Sequence, residues 1–252
     1  MRNLRLIARL DIKGKNLIKG IRLEGLRVIG NPYEFAKKYF EDGIDEILYM
    51  DTVASLYNRN SLNDIVSETS KNIFIPIIVG GGIRSIEDAS QALKSGADKI
   101  AINTAAVNNP ELVKQLCNQF GSSTIVISIE AKKLKEGKWE VYTNNGREAT
   151  GLDVVSWAIE CEKLGVGEIL ITSVDQEGTG QGFDYNLISE VSKKTNIPVI
   201  ASGGMGSLYD FLKVVKESNC EAVAIADVLH YKKKSINEIK TFAKKNSITV
   251  RF

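Results

Sequence analysis

The sequence predicts a single (β/α)8 TIM barrel of α/β class, built from two homologous half-barrels of about residues 1–121 and 122–252. Three observations predict it. The first is length: a chain of 252 residues falls where α/β barrels commonly form one domain. The second is a repeat. Ile75-Pro76-Ile77-Ile78-Val79-Gly80-Gly81-Gly82 is echoed by Ile197-Pro198-Val199-Ile200-Ala201-Ser202-Gly203-Gly204, an offset of 122 residues. Gly43-Ile44-Asp45-Glu46-Ile47-Leu48 is echoed by Gly165-Val166-Gly167-Glu168-Ile169-Leu170 at the same offset, the mark of an internal duplication. The third is the alternation of short β-branched runs with amphipathic stretches, four of each per half, which closes naturally into a barrel. An open doubly wound sheet is the runner-up. It accounts less well for the half-repeat, and no G-x-G-x-x-G follows the first strand.

The elements follow in order. Strands are expected near Leu4–Ile12, Glu46–Asp51, Ile75–Val79 and Lys99–Ile102 in the first half, and near Thr124–Ile129, Glu168–Thr172, Pro198–Ala201 and Ala222–Ile225 in the second. Helices fall between and after them, near Pro32–Asp42, Leu62–Lys71, Ser85–Ser95, Pro110–Phe120, Asp153–Leu164, Leu187–Thr195, Leu208–Ser218 and Ile236–Lys245. Asn31-Pro32 and Asn109-Pro110 read as caps followed by proline at the first helical position. Pro76 and Pro198 open equivalent strands, where a missing N–H is tolerated. Ala131 to Thr150, with Trp139, Tyr142 and Asn145-Gly146, reads as a long loop or hairpin.

Composition excludes several functions. Hydrophobic content of 43% and charged content of 25% are ordinary for a soluble globular chain. A net charge of +2 gives no field for nucleic acid or an anionic membrane. No apolar run approaches the ~20 residues that cross a bilayer, and no secretory leader is recognisable after Met1-Arg2-Asn3-Leu4-Arg5. Cys117, Cys161 and Cys220 are scattered and lack metal-ligand spacing, which suits buried thiols in a reducing cytoplasm. The lone histidine, His230, reads as structural. No metal site or cofactor motif is present, so carboxylates or lysines must carry proton transfers.

In a barrel the active site lies at the C-terminal ends of the strands. Gly80-Gly81-Gly82 and Ser202-Gly203-Gly204 stand there, after strands three and seven. Either is a tight turn on the plain reading, but glycines also let backbone N–H groups approach an oxyanion. Two such turns on opposite sides of a symmetric barrel point to a substrate with two phosphates, with Asn103-Thr104 adding donors beside the first. Asp11 ends strand one and Glu130 ends strand five, its equivalent. Opposed carboxyl groups across a barrel mouth make a reasonable acid/base pair. Asp51 and Asp175 end strands two and six. For any of these carboxylates a role in capping a loop N–H is the competing reading.

Leu10-Asp11, Val79 to Ile83, Ala101 to Ala106, Thr172 to Asp175 with Gly178-Thr179, and Ala201 to Gly204 together resemble the cyclase subunit of imidazole glycerol phosphate synthase, in order and along essentially the whole chain. The resemblance implies a lyase-type cyclisation in histidine biosynthesis. A bis-phosphorylated ribulosyl aminoimidazole carboxamide substrate and ammonia would yield imidazole glycerol phosphate and aminoimidazole carboxamide ribotide. It implies acid/base roles for Asp11 and Glu130. It implies substrate and phosphate contacts at Lys19, Gly81, Gly82, Asn103, Thr104, Gly178, Gly203 and Gly204, with Lys19 in the loop after strand one. Arg5, Glu46, Lys99 and Glu168 start strands one, two, four and six. Bare pattern makes them rim charges; the resemblance makes them a salt-bridged gate for ammonia, neutral as a partly buried cluster needs to be. Asp98 matches a position that contacts a separate glutaminase, the implied partner.

Four departures cluster near the chemistry. Glu130 stands where the family has aspartate; the extra methylene moves the carboxyl by roughly 1–1.5 Å, whereas catalytic groups usually need placing within about 0.5 Å. Asp175-Gln176-Glu177-Gly178-Thr179 replaces Asp-Arg-Asp-Gly-Thr. Asp227 replaces a small hydroxyl residue at a helix start, where an anion repels phosphate. Arg9 replaces a cysteine and, by alternation, shares the inward face with Arg5, Ile7 and Asp11. There it could pair with Asp11, narrow the channel or bind an anionic group. A kept gate with an altered substrate end also fits an alternative: a divergent paralogue that activates a glutaminase and passes ammonia to another acceptor, such as amidino-sugar biosynthesis.

Overall fold

The computed structural model describes residues 3–54 and 62–252. In chain order the elements are β1 (Arg5–Lys13), β2 (Asn16–Ile21), β3 (Glu24–Gly30), α1 (Pro32–Glu41), β4 (Glu46–Asp51), α2 (Asn63–Ser70), β5 (Ile77–Gly80), α3 (Ile86–Lys94), β6 (Lys99–Ile102), α4 (Thr104–Asn108) and α5 (Pro110–Phe120). The second half continues with β7 (Ile125–Lys135), β8 (Lys138–Thr143), β9 (Glu148–Asp153), α6 (Val154–Leu164), β10 (Glu168–Ser173), α7 (Tyr185–Lys194), β11 (Val199–Ser202), α8 (Leu208–Ser218), β12 (Ala222–Ile225), α9 (Asp227–His230) and α10 (Ile236–Lys245).

Parallel pairing runs β1-β4-β5-β6-β7-β10-β11-β12 and returns to β1, closing an eight-stranded (β/α)8 barrel. Alternation along each strand separates two apolar layers. Residues such as Ile7, Leu48, Ile78, Val126, Leu170 and Ile200 fill the lumen. Their neighbours face the helices in a larger core that includes Leu6, Leu10, Ile47, Val79, Ile127 and Ile171.

The repeat carries into the contacts. Gly81 and Gly203 hold φ of +90° and +95°. A side chain on Gly81 would lie 2.2 Å from the Asp51 carbonyl oxygen, and one on Gly203 would lie 2.8 Å from that of Ser173. Both the glycines and the carbonyls are separated by the 122-residue offset. Crowding and left-handed backbone therefore both require glycine at these turns.

Local chemistry explains most boundaries. Asn31 accepts from the Tyr33 and Glu34 N–H groups and caps α1, with Pro32 behind it. Asn109 precedes Pro110 but makes no side-chain capping bond. Pro76 and Pro198 fall just outside β5 and β11. Ser207 with Asp210, and Ser235 with Glu238, form reciprocal capping boxes on α8 and α10.

Two hairpins extend the barrel at its C-terminal mouth. The segment after the first strand, expected as a loop, is an antiparallel β2–β3 hairpin that continues β1, so Lys19 sits on a strand. The β2–β3 turn uses Arg22 and Leu23 at φ of 53° and 62°, a left-handed pair without Gly or Asn. Other contacts fix it: the Arg22 N–H donates to the Glu177 carbonyl at 2.7 Å, and Asn145 Nδ2 donates to the Leu23 carbonyl at 3.3 Å. The segment between 131 and 150 forms the extended end of β7, paired to β8, and a second hairpin, β8–β9. Its turn, Asn144-Asn145-Gly146, is left-handed at all three residues and folds back over the mouth.

Candidate active site

The two strand-end carboxylates occupy the same row of each half. Asp11 pairs across to Met50 on β4, and Glu130 pairs to Thr172 on β10. Met50 and Thr172 are themselves separated by the repeat offset. The environments of the two carboxyls nevertheless differ sharply.

Asp11 is buried between two cations. Arg9 Nε donates to Asp11 Oδ1 at 2.8 Å, and Lys19 Nζ lies 3.7 Å from Oδ2. Burial works against the carboxylate, but Arg9 and then Lys19 outweigh it and hold Asp11 below the usual range. Glu130 accepts from the Gly146 N–H at 2.7 Å. Burial pushes its carboxyl up to about 7, only partly offset by Arg9 and the Gly146 bond. One carboxyl is thus kept ionised while the other can carry a proton near neutral pH. Environments that split a pair in this way assign base and acid roles.

The raised Glu130 value has a consequence for folding. The folded chain holds this proton up to about 7, the unfolded chain only to about 4.5. Stability from this group is therefore present at low pH and lost as pH rises through that window. Urea unfolding at several pH values is expected to show the stability of the parent chain falling relative to that of Glu130→Gln across this window, the opposing contribution of His230 being common to both.

Arg9 is completely enclosed. From β1 it passes the small Ala224 and donates through one terminal nitrogen to Thr172 Oγ1 at 2.8 Å and Ser202 Oγ at 3.2 Å. Burial disfavours its charge, yet Asp11 and Glu177 outweigh the penalty and raise its pKa. Of the three roles open to Arg9 in the sequence, pairing with Asp11 is the one observed. Lys19, equally buried, donates to Glu177 Oε1.

Around this network the mouth is asymmetric. Gly81, Gly82, Asn103, Thr104 and Glu130 line one cavity of about 280 Å3 on the β4 to β7 side, with Ser128, Arg84 and the Asn144-Asn145 turn. Gly178, Gly203 and Gly204 line a second void of only about 10 Å3, together with Arg9, Glu177 and Asp227. Asp11 and Lys19 line neither. The Asp227 carboxylate pairs with Lys233 Nζ at 2.5 Å. Asp175 takes the loop-tying role, accepting from the Lys133 N–H at 2.8 Å, while Asp51 accepts from the Val53 N–H at 3.0 Å. His230 is structural in kind: it stacks near Tyr39, whose hydroxyl lies 2.7 Å from Nδ1, and burial pushes its pKa down to about 4. Glu177 and the Gly146 N–H were missed from the sequence as parts of the site, although both lie in segments singled out there.

At the opposite mouth four charges form a closed ring. Arg5 donates to Glu46 at 2.8 Å and to Glu168; Lys99 donates to Glu168 at 2.8 Å and lies 3.7 Å from Glu46. Burial disfavours the Arg5 charge, but Glu168 and Glu46 outweigh it. Asp98 is exposed beside this ring, and its Oδ2 accepts from the Ile77 N–H at 2.8 Å, so it also fixes the start of β5. Among the described residues no three metal-ligating side chains cluster, and no helix is long and apolar enough to cross a membrane.

Comparison with known proteins identifies the family. The profile of the family described as histidine biosynthesis protein matches residues 5–235. The imidazole glycerol phosphate synthase subunit HisF of Legionella pneumophila is 63% identical over 211 residues, 84% of this chain and 100% of the relative. The same subunit of Prochlorococcus marinus strain AS9601 is 46% identical, and that of Pyrococcus furiosus 48%, each over 98% of both chains. The chain belongs to the histidine biosynthesis family and, within it, to the HisF-type cyclase subunits of imidazole glycerol phosphate synthase, lyase-type enzymes of amino-acid biosynthesis.

Proposed function

We propose that this chain takes ammonia from a separate glutaminase subunit through the Arg5–Glu46–Lys99–Glu168 ring and uses it at the other mouth. There a bis-phosphorylated ribulosyl aminoimidazole carboxamide is closed to imidazole glycerol phosphate, releasing aminoimidazole carboxamide ribotide. The observation that carries the reading is the joining of three parts in one barrel: a neutral ion-paired ring at the base, an apolar lumen above it, and a carboxylate pair with divergent proton affinities at the mouth.

In this reading Gly81 and Gly82, with Asn103 and Thr104, hold one phosphate in the open cavity, and Gly178, Gly203 and Gly204 receive the other. Lys19 holds the substrate between them. Asp11 takes the proton from the attacking nitrogen, and Glu130 supplies one to the leaving group. No cofactor or metal is assigned a part. Asp98, exposed on the gate face, belongs to the docking surface of the glutaminase. The three buried, unpaired thiols suit work in the cytoplasm. The test is turnover of the bis-phosphate substrate by the purified chain with an ammonium salt, which removes the need for the partner.

The gate separates the two nitrogen sources. Lys99→Met removes one base and leaves Glu46 and Glu168 sharing Arg5. Glutamine-driven turnover of the complex is expected to fall several-fold or more, while turnover of the isolated chain with free ammonium is kept. Equal losses in both assays would count against a channelling role for the ring.

A further inference from the structure

Glu177 lies in the loop after β10, and its carboxylate lies in an unusual place. Oε1 accepts from Lys19 Nζ, and Oε2 comes within 3.2 Å of where a side chain on Gly203 would begin. Arg9 lines the same void, whose remaining space is about 10 Å3, roughly one water. The second glycine turn is therefore filled by an anion of the protein itself.

Charge fixes what can follow. Arg9, Lys19, Asp11 and Glu177 are all buried and sum to zero. A phosphate carries about −1.5 to −2 charge, and placing one here beside Glu177 would leave buried, uncompensated negative charge. Asp227 on the same wall adds to that cost, although Lys233 partly neutralises it. With Glu177 withdrawn, Lys19 and Arg9 can bond phosphate oxygens in its stead.

We propose that Glu177 is a specificity-determining residue that occupies the second phosphate site as an internal anion, and that it yields only to a ligand whose second phosphate displaces it from Lys19. The proposal rests on the reading of both glycine turns as phosphate sites. A ligand with one phosphate fills the open Gly81-Gly82 cavity and leaves the Lys19–Glu177 pair intact. A doubly charged phosphate, with more acceptor oxygens than a carboxylate, wins the exchange.

The test counts inorganic phosphate bound to the full chain by calorimetry. The parent chain is expected to bind one equivalent well and a second weakly. Glu177→Gln is expected to tighten the second on the order of tenfold or more, because apparent affinity scales with the fraction of chains whose site is vacant. Adding Lys19→Met to Glu177→Gln should weaken it again. An unchanged second equivalent in folded Glu177→Gln overturns the proposal. Crystals of the parent chain soaked in phosphate decide the matter without a variant. A Gly203 turn still filled by Glu177, or a phosphate there with Glu177 rotated off Lys19, supports it; phosphate beside an intact Lys19–Glu177 pair overturns it. Binding is counted without turnover, so a failed cyclase assay and a failed exchange are separate results.

Discussion

Asp11→Asn is expected to lower turnover of the bis-phosphate substrate with free ammonium by roughly 10²–10⁴-fold, the usual worth of a positioned acid or base. The substitution keeps the shape and the Arg9 contact but removes the ability to accept a proton. The carboxylate is held ionised by Arg9 at 2.8 Å and Lys19 at 3.7 Å, so it is in the base form at neutral pH. The same change leaves two buried cations with Glu177 as their nearby anion, and removing one partner of a buried pair typically costs about 3–5 kcal/mol. Folding must therefore be checked by unfolding curves beside the assay. Turnover near the parent level in a folded variant would exclude Asp11 as the base. If the parent chain itself turns nothing over, while changes at the ring still alter glutamine hydrolysis by the complex, an ammonia-delivering role toward another acceptor is indicated.

Arg9→Met is expected to destabilise the chain by about 3–5 kcal/mol, the cost of orphaning a buried charge. Among the described residues the guanidinium makes the shortest ion pair to the Asp11 carboxylate, and it also donates to Thr172 and Ser202. Without it, a fully buried carboxylate keeps only the more distant Lys19. The hydroxyls can turn to each other, whereas the carboxylate cannot. Combining Arg9→Met with Asp11→Asn should recover a large part of the loss, because the orphaned charge is then gone; a cycle of unfolding measurements isolates that coupling. A loss below about 1 kcal/mol, the scale of an exposed ion pair, would show the pair to be of little consequence.

The barrel was legible because its cues are local and repeated. β4, β6 and β12 match the expected bounds and four other barrel strands differ by one or two residues at their ends, because β-branched runs set their length; β7 runs six residues further than expected, into the segment that forms a hairpin. The hairpins were not legible in the same way. Arg22-Leu23 carries none of the Asn-Gly chemistry that signals a two-residue turn, and its left-handed backbone is held by Glu177 and Asn145, which are distant in sequence. Asn144-Asn145-Gly146 does carry that chemistry, and a hairpin was foreseen there as one of two forms. Of the site, the glycine turns and the two carboxylates could be placed from position on strands, whereas Arg5, Glu46, Lys99 and Glu168 read by pattern as rim charges and only the resemblance implied their pairing. The partners of Arg9 could not be read, because Thr172 and Ser202 lie three and two strands around the barrel from it. Nor could the asymmetry of the mouth, since both turns look alike in sequence and differ only in whether Glu177 fills the space above them.

The ring at the base is closed as well as neutral. Glu46 and Glu168 each lie within ion-pair distance of both Arg5 and Lys99, with Lys99 hydrogen-bonded to Glu168 and 3.7 Å from Glu46. Withdrawing either cation gives up two ion pairs at once and leaves two largely buried carboxylates sharing the one that remains. The members of the ring thereby join strands β1, β4, β6 and β10 into one cross-braced frame.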